Sequence, residues 1–240
     1  MLYLGPNACA EALALGQLHA LRVSPQAWAR SADLRAAARA AGAVVHQEPM
    51  ESLDRRAEGA RHQGVLGEGA ALAFSDLDEA AAKVEIPGHQ ALILALDGIT
   101  DPHNFGAILR SAAAAGVDAV VFPERRSAQV NETVIRASAG TAGRVPLVRV
   151  VNLGRALDEL KARGAWIFGL DAGEESRDYL SERFDAPVVL VLGSEGEGLH
   201  QKIRERCDVL LRIPMPGGTE SLNVSATAAV MLFRVLSVRT

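Results

Sequence analysis

The chain has little cysteine, little lysine and no long apolar run. Its 240 residues hold two cysteines, Cys9 and Cys207, far apart in sequence. No CxxC pair occurs, and the six histidines show no zinc-like spacing. Neither a disulfide framework nor a structural zinc is therefore expected, and no metal is assigned. The longest apolar stretches, such as residues 186–192, fall far short of the ~20 residues a spanning helix needs. Residues 1–9 lack the basic and apolar regions of a signal peptide. A reducing cytoplasm is the expected compartment, with no membrane partner.

Familiar catalytic signatures are missing too. There is no G-x-x-x-x-G-K-[ST] phosphate loop, no G-x-S-x-G elbow and no H-E-x-x-H pair. The stretch "LALDGITDP" ends an apolar strand, yet it lacks the repeated glycines of a Rossmann-type methyltransferase loop and runs into Pro102. Lysine appears three times among 25 basic residues, leaving 22 arginines. Arginine suits bidentate phosphate contacts. Base composition explains most of them equally well, since alanine is abundant too. The net charge of −4 argues against a nonspecific polyanion binder, but it does not report a local patch.

What is present is an alternation of short apolar runs with amphipathic segments. Residues 1–73 read as a small α/β unit. A helix is expected at 7–15, an extended segment at 21–23 and strands at 44–45 and 64–70. Ser24-Pro25 gives an N-cap with proline at the first helical position. Ser31 is a candidate cap for "ADLRAAARAA", which Gly42 ends. "RRAEGARHQG", 55–64, gathers Arg55, Arg56, Arg61 and His62 in a glycine-bearing turn. It has two readings, an RNA-backbone contact and a solvated loop. Residues 74–88, with scattered acids and then Pro87 and Gly88, read as a linker with a short helical turn.

Residues 89–240 carry a stronger rhythm. Strands are expected at 92–96, 119–122, 147–150, 166–170, 188–192 and 209–213. Helices are expected at 105–115, 132–138, 153–163, 199–205 and 223–235. Strands alternating with helices predict a mostly parallel sheet with helices on both faces. In such sheets ligands bind beyond the carboxyl ends of strands.

Three strand-end loops carry the candidate chemistry. The first, "LDGITDPHNFGAILRSAAAAG", holds Asp97, Asp101, His103, Asn104 and Arg110. Asn104 is a candidate cap. Arg110, six residues on, need not share its face and has a plain solvent-facing reading as well. The second, "LVLGSEGEGLH", is G-x-x-G-x-G rather than the dinucleotide pattern. Gly193, Gly196 and Gly198 allow main chain to turn tightly against a flat ligand, with Glu195 facing the same space; an acidic helix start is the plain alternative. The third, "IPMPGGTESLNVSATAAVMLF", stiffens its approach with Pro214 and Pro216. Ser221 and Asn223 flank Leu222, expected to point inward. One helix end needs one cap, so the other polar group is spare for a ligand.

Together these three segments, with the intervening "RSAQVNETVIRASAGTAGRVPLVRVVNL", resemble the motifs of the SpoU/TrmH branch of SPOUT methyltransferases. The N-terminal unit, with "HQGV", is similar to the RNA substrate-binding domain of the large-subunit ribosomal RNA guanosine 2′-O-methyltransferases. Residues 3–16 depart from that family's usual opening. The resemblance implies a C-terminal trefoil knot, S-adenosylmethionine as cofactor, ribosomal RNA as substrate, and a homodimer to which Val230, Phe233 and Leu236 contribute. It implies cofactor contacts from Leu192, Gly193, Gly198, Ile213, Met215 and Leu222. It implies catalytic roles for Asn104, Arg110, Glu195, Ser221 and Asn223. Asn104 would hold Arg110 or the ribose, and Glu195 would orient Arg110. Arg55, Arg56, Arg61 and His62 become the RNA-contact candidates. Two other functions stay open: a tRNA 2′-O-methyltransferase, and a non-catalytic RNA-binding assembly factor.

Overall fold

A computed structural model describes residues 1–239, which form two compact units. The first takes Met1–Leu72 together with Val130–Arg144. The second takes Ala73–Gln129 and the described chain from Val145 onward.

The first unit is built from β1 (Leu2–Leu4), α1 (Pro6–Ala14), β2 (Leu18–Val23), α2 (Pro25–Arg30), α3 (Ala32–Ala40), β3 (Val44–Gln47), α4 (Met50–Arg56) and β4 (Val65–Gly69). Its sheet runs in the order β1-β4-β2-β3, with only β2 and β3 parallel. Ser24 caps α2 as expected, its side chain accepting from Ala27 N at 3.2 Å. Ser31 stands at the start of α3 but makes no side-chain cap bond. Residues 130–144 complete the unit. Their helix, numbered below as α7, brings Glu132 Oε1 to accept from Leu2 N at 3.3 Å, and Arg144 pairs with Glu11. Local periodicity gives no hint of this, because a helix's partner is set by contacts remote in sequence.

The second unit contains α5 (Leu77–Val84), β5 (Leu92–Asp97), α6 (Pro102–Ala115), β6 (Ala119–Pro123), then, after α7 (Glu132–Ala137) of the first unit, β7 (Leu147–Val150), α8 (Leu153–Ala162), β8 (Trp166–Leu170), β9 (Arg177–Asp178), β10 (Val188–Gly193), α9 (Gln201–Arg204), β11 (Val209–Arg212) and α10 (Val224–Arg239). Its seven strands run β7-β6-β5-β10-β8-β11-β9, every pair parallel. Parallel strands covered on both faces read as continuous apolar runs, and every residue of β5 is buried.

The expected linker at 74–88 is a correction. Ser75 pairs beside Val148, donating its N–H to Leu147 O at 2.8 Å. Helix α5 then buries Ala80, Ala81 and Val84 against Ile93, Ala156 and Leu160. Its acids, Asp78 and Glu79, sit in the first turn, where they favour the helix dipole. An alanine face with an acidic start mimics linker composition, yet it buries well. Phe105 meets Phe122 edge to face at 5.0 Å, tying α6 to β6.

The strand order decides where the site lies. From β5 the chain moves outward through β6 and β7, and then β8 forms on the other side. Strand β10 enters between β5 and β8. The order reverses there, so the loops leaving β5 and β10 part from a shared edge. Asp97 and Gly193, the last residues of those two strands, stand in register.

Candidate active site

The site begins with Asp97, a carboxylate at the end of an otherwise apolar strand. It is buried, and its oxygens take His200 N at 2.8 Å and His200 Nδ1 at 3.0 Å. This pair fastens the end of the β10 loop to the end of β5. None of the three sequence motifs gives Asp97 a role. Its signal was a lone acid closing "LILALD".

Asp101 then caps α6, accepting from His103 N at 3.2 Å and Asn104 N at 3.0 Å. Asn104 is not the cap, contrary to the sequence reading. It is the third residue of the helix, in the first turn, and its side chain points away from the cap.

The β10 loop closes on itself. Ser194 and Gly198 exchange two backbone hydrogen bonds, at 3.1 and 3.0 Å. Gly196 and Gly198 take φ of 86° and 69°, the left-handed region that favours glycine. Gly193 is glycine for a different reason. A Cβ there would lie 2.1 Å from the Gly198 carbonyl carbon and 2.4 Å from Leu199 N. The fold-back leaves no room for any side chain.

The third loop brings Asn223 to the start of α10. Asn223 Oδ1 accepts from Ser225 N at 2.9 Å and Ser225 Oγ at 2.6 Å, so it is the helix cap. Its Nδ2 donates to Asn104 Oδ1 at 3.0 Å and to Glu195 Oε1 at 2.5 Å. One amide therefore joins all three loops. Glu195 Oε1 also takes Val224 N at 3.4 Å.

Beside this junction a cavity of about 390 Å³ opens at the carboxyl ends of β8, β10 and β11. That volume falls within the range of small-ligand sites. Leu192, Gly193, Gly198, Ile213, Met215 and Leu222 all line it. Glu195 and Ser221 line it as well. Leu222, expected to point inward, faces the cavity. It is 38% exposed and forms part of the cavity wall. The segment after β8, Asp171 to Gly173, also lines the cavity and was missed, since no motif marks it.

Arg110 stands apart from this lining. It is exposed on α6, about 9 Å along the helix axis from Asn104 at 1.5 Å per residue. Among the described residues it has no hydrogen-bond or ion-pair partner. No hydrogen bond joins it to Asn104 or Glu195, each of which accepts from Asn223 Nδ2.

In the first unit Arg55, Arg56 and Arg61 are exposed. Arg55 and Arg56 end helix α4 rather than lying in a loop. Arg56 pairs with Glu48 at 3.2 Å, inside a cluster with Arg22 and Glu68. The hydrogen bond from Ser52, followed by those from Arg22 and Arg56, brings the Glu48 carboxyl down to about 2. His62 is a correction to this group. It is 5% exposed, with Nε2 on Asp54 Oδ1 at 2.8 Å and Nδ1 accepting from Gly64 N at 3.1 Å. Both ring nitrogens are engaged inside the unit.

A parallel α/β unit with a ligand-sized cavity at its carboxyl edge, walled by glycine turns, has the layout of an enzyme that takes a small ligand at a switch in strand order. Residues 91–233 match the SpoU rRNA methylase family, and residues 2–74 match the family described as RNA 2′-O ribose methyltransferase substrate binding. The chain belongs to the SpoU rRNA methylase family. It is 43% identical over 239 residues to a 23S rRNA (guanosine-2′-O-)-methyltransferase, RlmB, of Xylella fastidiosa, covering 98% of this chain and 96% of that one. Its structure is similar to that of the SpoU methyltransferase AviRb from Streptomyces viridochromogenes in complex with AdoMet, with a TM-score of 0.79, 26% identity and coverage of 100% and 90%. An AdoMet-bound rRNA methyltransferase from Sinorhizobium meliloti is similar as well, with a TM-score of 0.76, 26% identity and coverage of 98% and 86%.

Proposed function

We propose that this chain transfers a methyl group from S-adenosylmethionine to the ribose 2′-oxygen of a guanosine in 23S ribosomal RNA. The observation that carries this reading is the junction at Asn223, where three loops far apart in sequence meet at the rim of one cavity. The cavity's chemistry fits the cofactor. Leu192, Ile213 and Leu222 offer apolar surface for a flat ring. Glu195, Glu197 and Glu220 outnumber Arg212 on the lining, which suits a cation. Bare main chain at Gly193 and Gly198 allows close approach. When bound, S-adenosylmethionine supplies an electrophilic methyl on a sulfonium sulfur.

The chain's own residues then position and stabilise. The ribose oxygen must stand in line with the methyl carbon, so orientation supplies much of the rate. As the O–CH3 bond forms and the methyl–sulfur bond breaks, releasing a neutral thioether, the 2′-hydroxyl proton passes to solvent water and negative charge grows on that oxygen. Arg110 is the stabilising group in this reading. A guanidinium donates and remains protonated, so it acts as a clamp on charge and phosphate rather than as the base. Its lack of an ion-pair partner supports that role. Asn104, Glu195 and Asn223 keep the loops in register around it, and Ser221 stands on the cavity wall for the substrate side.

In this reading the first unit is the RNA-binding domain, with Arg55 and Arg61 as its direct contacts. The strand order with β10 between β5 and β8, followed by α10 packed on α6, supports a trefoil knot in the C-terminal segment. Val230 and Phe233, exposed on α10 at 37% and 51%, support a homodimer interface. No described helix is long and apolar enough to cross a membrane. A cytoplasmic location is the compartment this substrate requires.

The test uses labelled S-adenosylmethionine with an unmodified 23S rRNA transcript and a bulk tRNA pool, followed by mapping of the 2′-O-methyl group. Label at one guanosine of the 23S transcript is expected. Label in tRNA alone would overturn the substrate, and no label in either would overturn the enzyme.

A further inference from the structure

The second unit holds another cavity, of about 380 Å³, between the ends of β6 and β7 and the start of α9. Arg125, Arg126, Lys202 and Arg206 line it, along with His200. Arg125, Arg126 and Lys202 have no side-chain hydrogen-bond or ion-pair partner among the described residues. The nearby carboxylates do not neutralise them: Asp97 holds His200, and Asp158 holds Arg206 at 3.1 Å. Glu124 is exposed beside them, its backbone N–H on Val150 O.

The loop carrying these arginines is held in an uncommon shape. Arg126 takes φ 58°, where a non-glycine residue is rare. Ala128 N donates to Ile99 O at 2.8 Å, tying the loop to the one that leaves β5. Ser127 Oγ is buried without a partner. Strain of this kind persists where surrounding structure enforces it, and it clusters at binding sites. Across the cavity, Gly154 in the first turn of α8 leaves room for Arg206. A Cβ there would stand 2.9 Å from Arg206 Nε. The start of α8, where Asn152 Oδ1 accepts from Arg155 N at 3.1 Å, adds positive partial charge.

We propose that this cavity holds a backbone phosphate of the RNA substrate. The inference rests on the reading above and deepens it, by assigning part of the RNA path to the second unit. Three unpaired side-chain cations, with the Asp158-paired Arg206 and a helix start beside them, line one concavity, the electrostatic footprint of phosphate binding. The linings of the two cavities are consecutive along the chain after β10. Gly198 and Leu199 line the ligand-sized cavity, while the next residue, His200, lines this one.

The experiment compares wild type with R125A/R126G/K202A. Glycine at 126 suits the left-handed backbone, so the variant keeps its loop. R183A, at an exposed arginine outside the cavity, is the control. Affinity for an unmodified 23S rRNA transcript is measured against salt, and S-adenosylmethionine binding is followed by calorimetry. Each lost phosphate contact reduces the salt slope by about 0.7 to 0.9. Losing that one phosphate should therefore cost the triple variant about 0.7 to 0.9 of slope and at least tenfold in RNA affinity, with S-adenosylmethionine affinity and the R183A protein unchanged. An unchanged slope in a variant that still binds S-adenosylmethionine overturns the proposal. So does inorganic phosphate protection that the variant loses while its RNA affinity stays intact, since that marks a free-phosphate site. Failure of wild type itself to methylate RNA would instead sink the proposed function.

Discussion

Asn223 Nδ2 donates to Asn104 Oδ1 at 3.0 Å across 119 residues of sequence, and the same nitrogen reaches Glu195 Oε1 at 2.5 Å. Because Asn223 Oδ1 also caps α10, one side chain links a helix start to both other loops. Replacing it with Ala should cost the cap, ~1 kcal/mol, and release Glu195. The expected result is a Tm lower by about 2 to 4 °C and weaker S-adenosylmethionine binding. A double-mutant cycle with Asn104→Ala should show coupling, and additive effects would mean the contact carries nothing.

Arg110 lies outside the cavity lining, so it should influence turnover without influencing cofactor binding. Arg110→Ala is expected to lower kcat about 10²- to 10³-fold, the loss seen when a charge-stabilising donor is removed. Calorimetric affinity for S-adenosylmethionine should stay within about twofold. Equal losses in both measurements would place Arg110 in the cofactor site instead.

Two glycines of the site predict opposite outcomes. Gly193→Ala forces a Cβ against backbone of Gly198 and Leu199, so the loop must open and cofactor binding should be lost. Gly217→Ala meets nothing within 4 Å and should leave stability within about 0.5 kcal/mol. Thermal melts and calorimetry on the two variants check this directly.

The Glu48 cluster predicts an acid sensitivity of the first unit. The folded carboxyl stands at about 2 against an ordinary 4.5, so folding favours its charged form. Its contribution is fully present above about pH 4.5 and fades as pH falls toward 2. Glu68 is held low by Arg22 and acts in the same direction. Hydrogen exchange within β2 and β4 should accelerate over that window, and Glu48→Gln should flatten the change.

The cysteines should be inert in the native protein. Burial pushes the Cys207 thiol up to about 12 and raises Cys9 as well. The thiolate is the reactive form, so iodoacetamide at pH 8 should label neither until denaturant is added. Rapid native labelling of Cys207 would show that its surroundings open.

The sequence by itself determined the local elements. Apolar runs such as "LILALD" and "VVLVLG" specify buried parallel strands, Ser24-Pro25 starts a helix, and the glycines at 193, 196 and 198 mark a tight turn. Each of these follows from backbone geometry within a few residues. Tertiary structure alone decided that β10 enters between β5 and β8, that residues 130–144 join the first unit, and that α5 is core rather than linker. It decided that His62 turns inward and that Asp101, not Asn104, caps α6, which frees Asn104 for Asn223. It also gathered Arg125, Arg126 and Lys202 around one cavity. These outcomes depend on which distant surfaces meet, and the side-chain period of a helix or strand is the same whichever partner it finds.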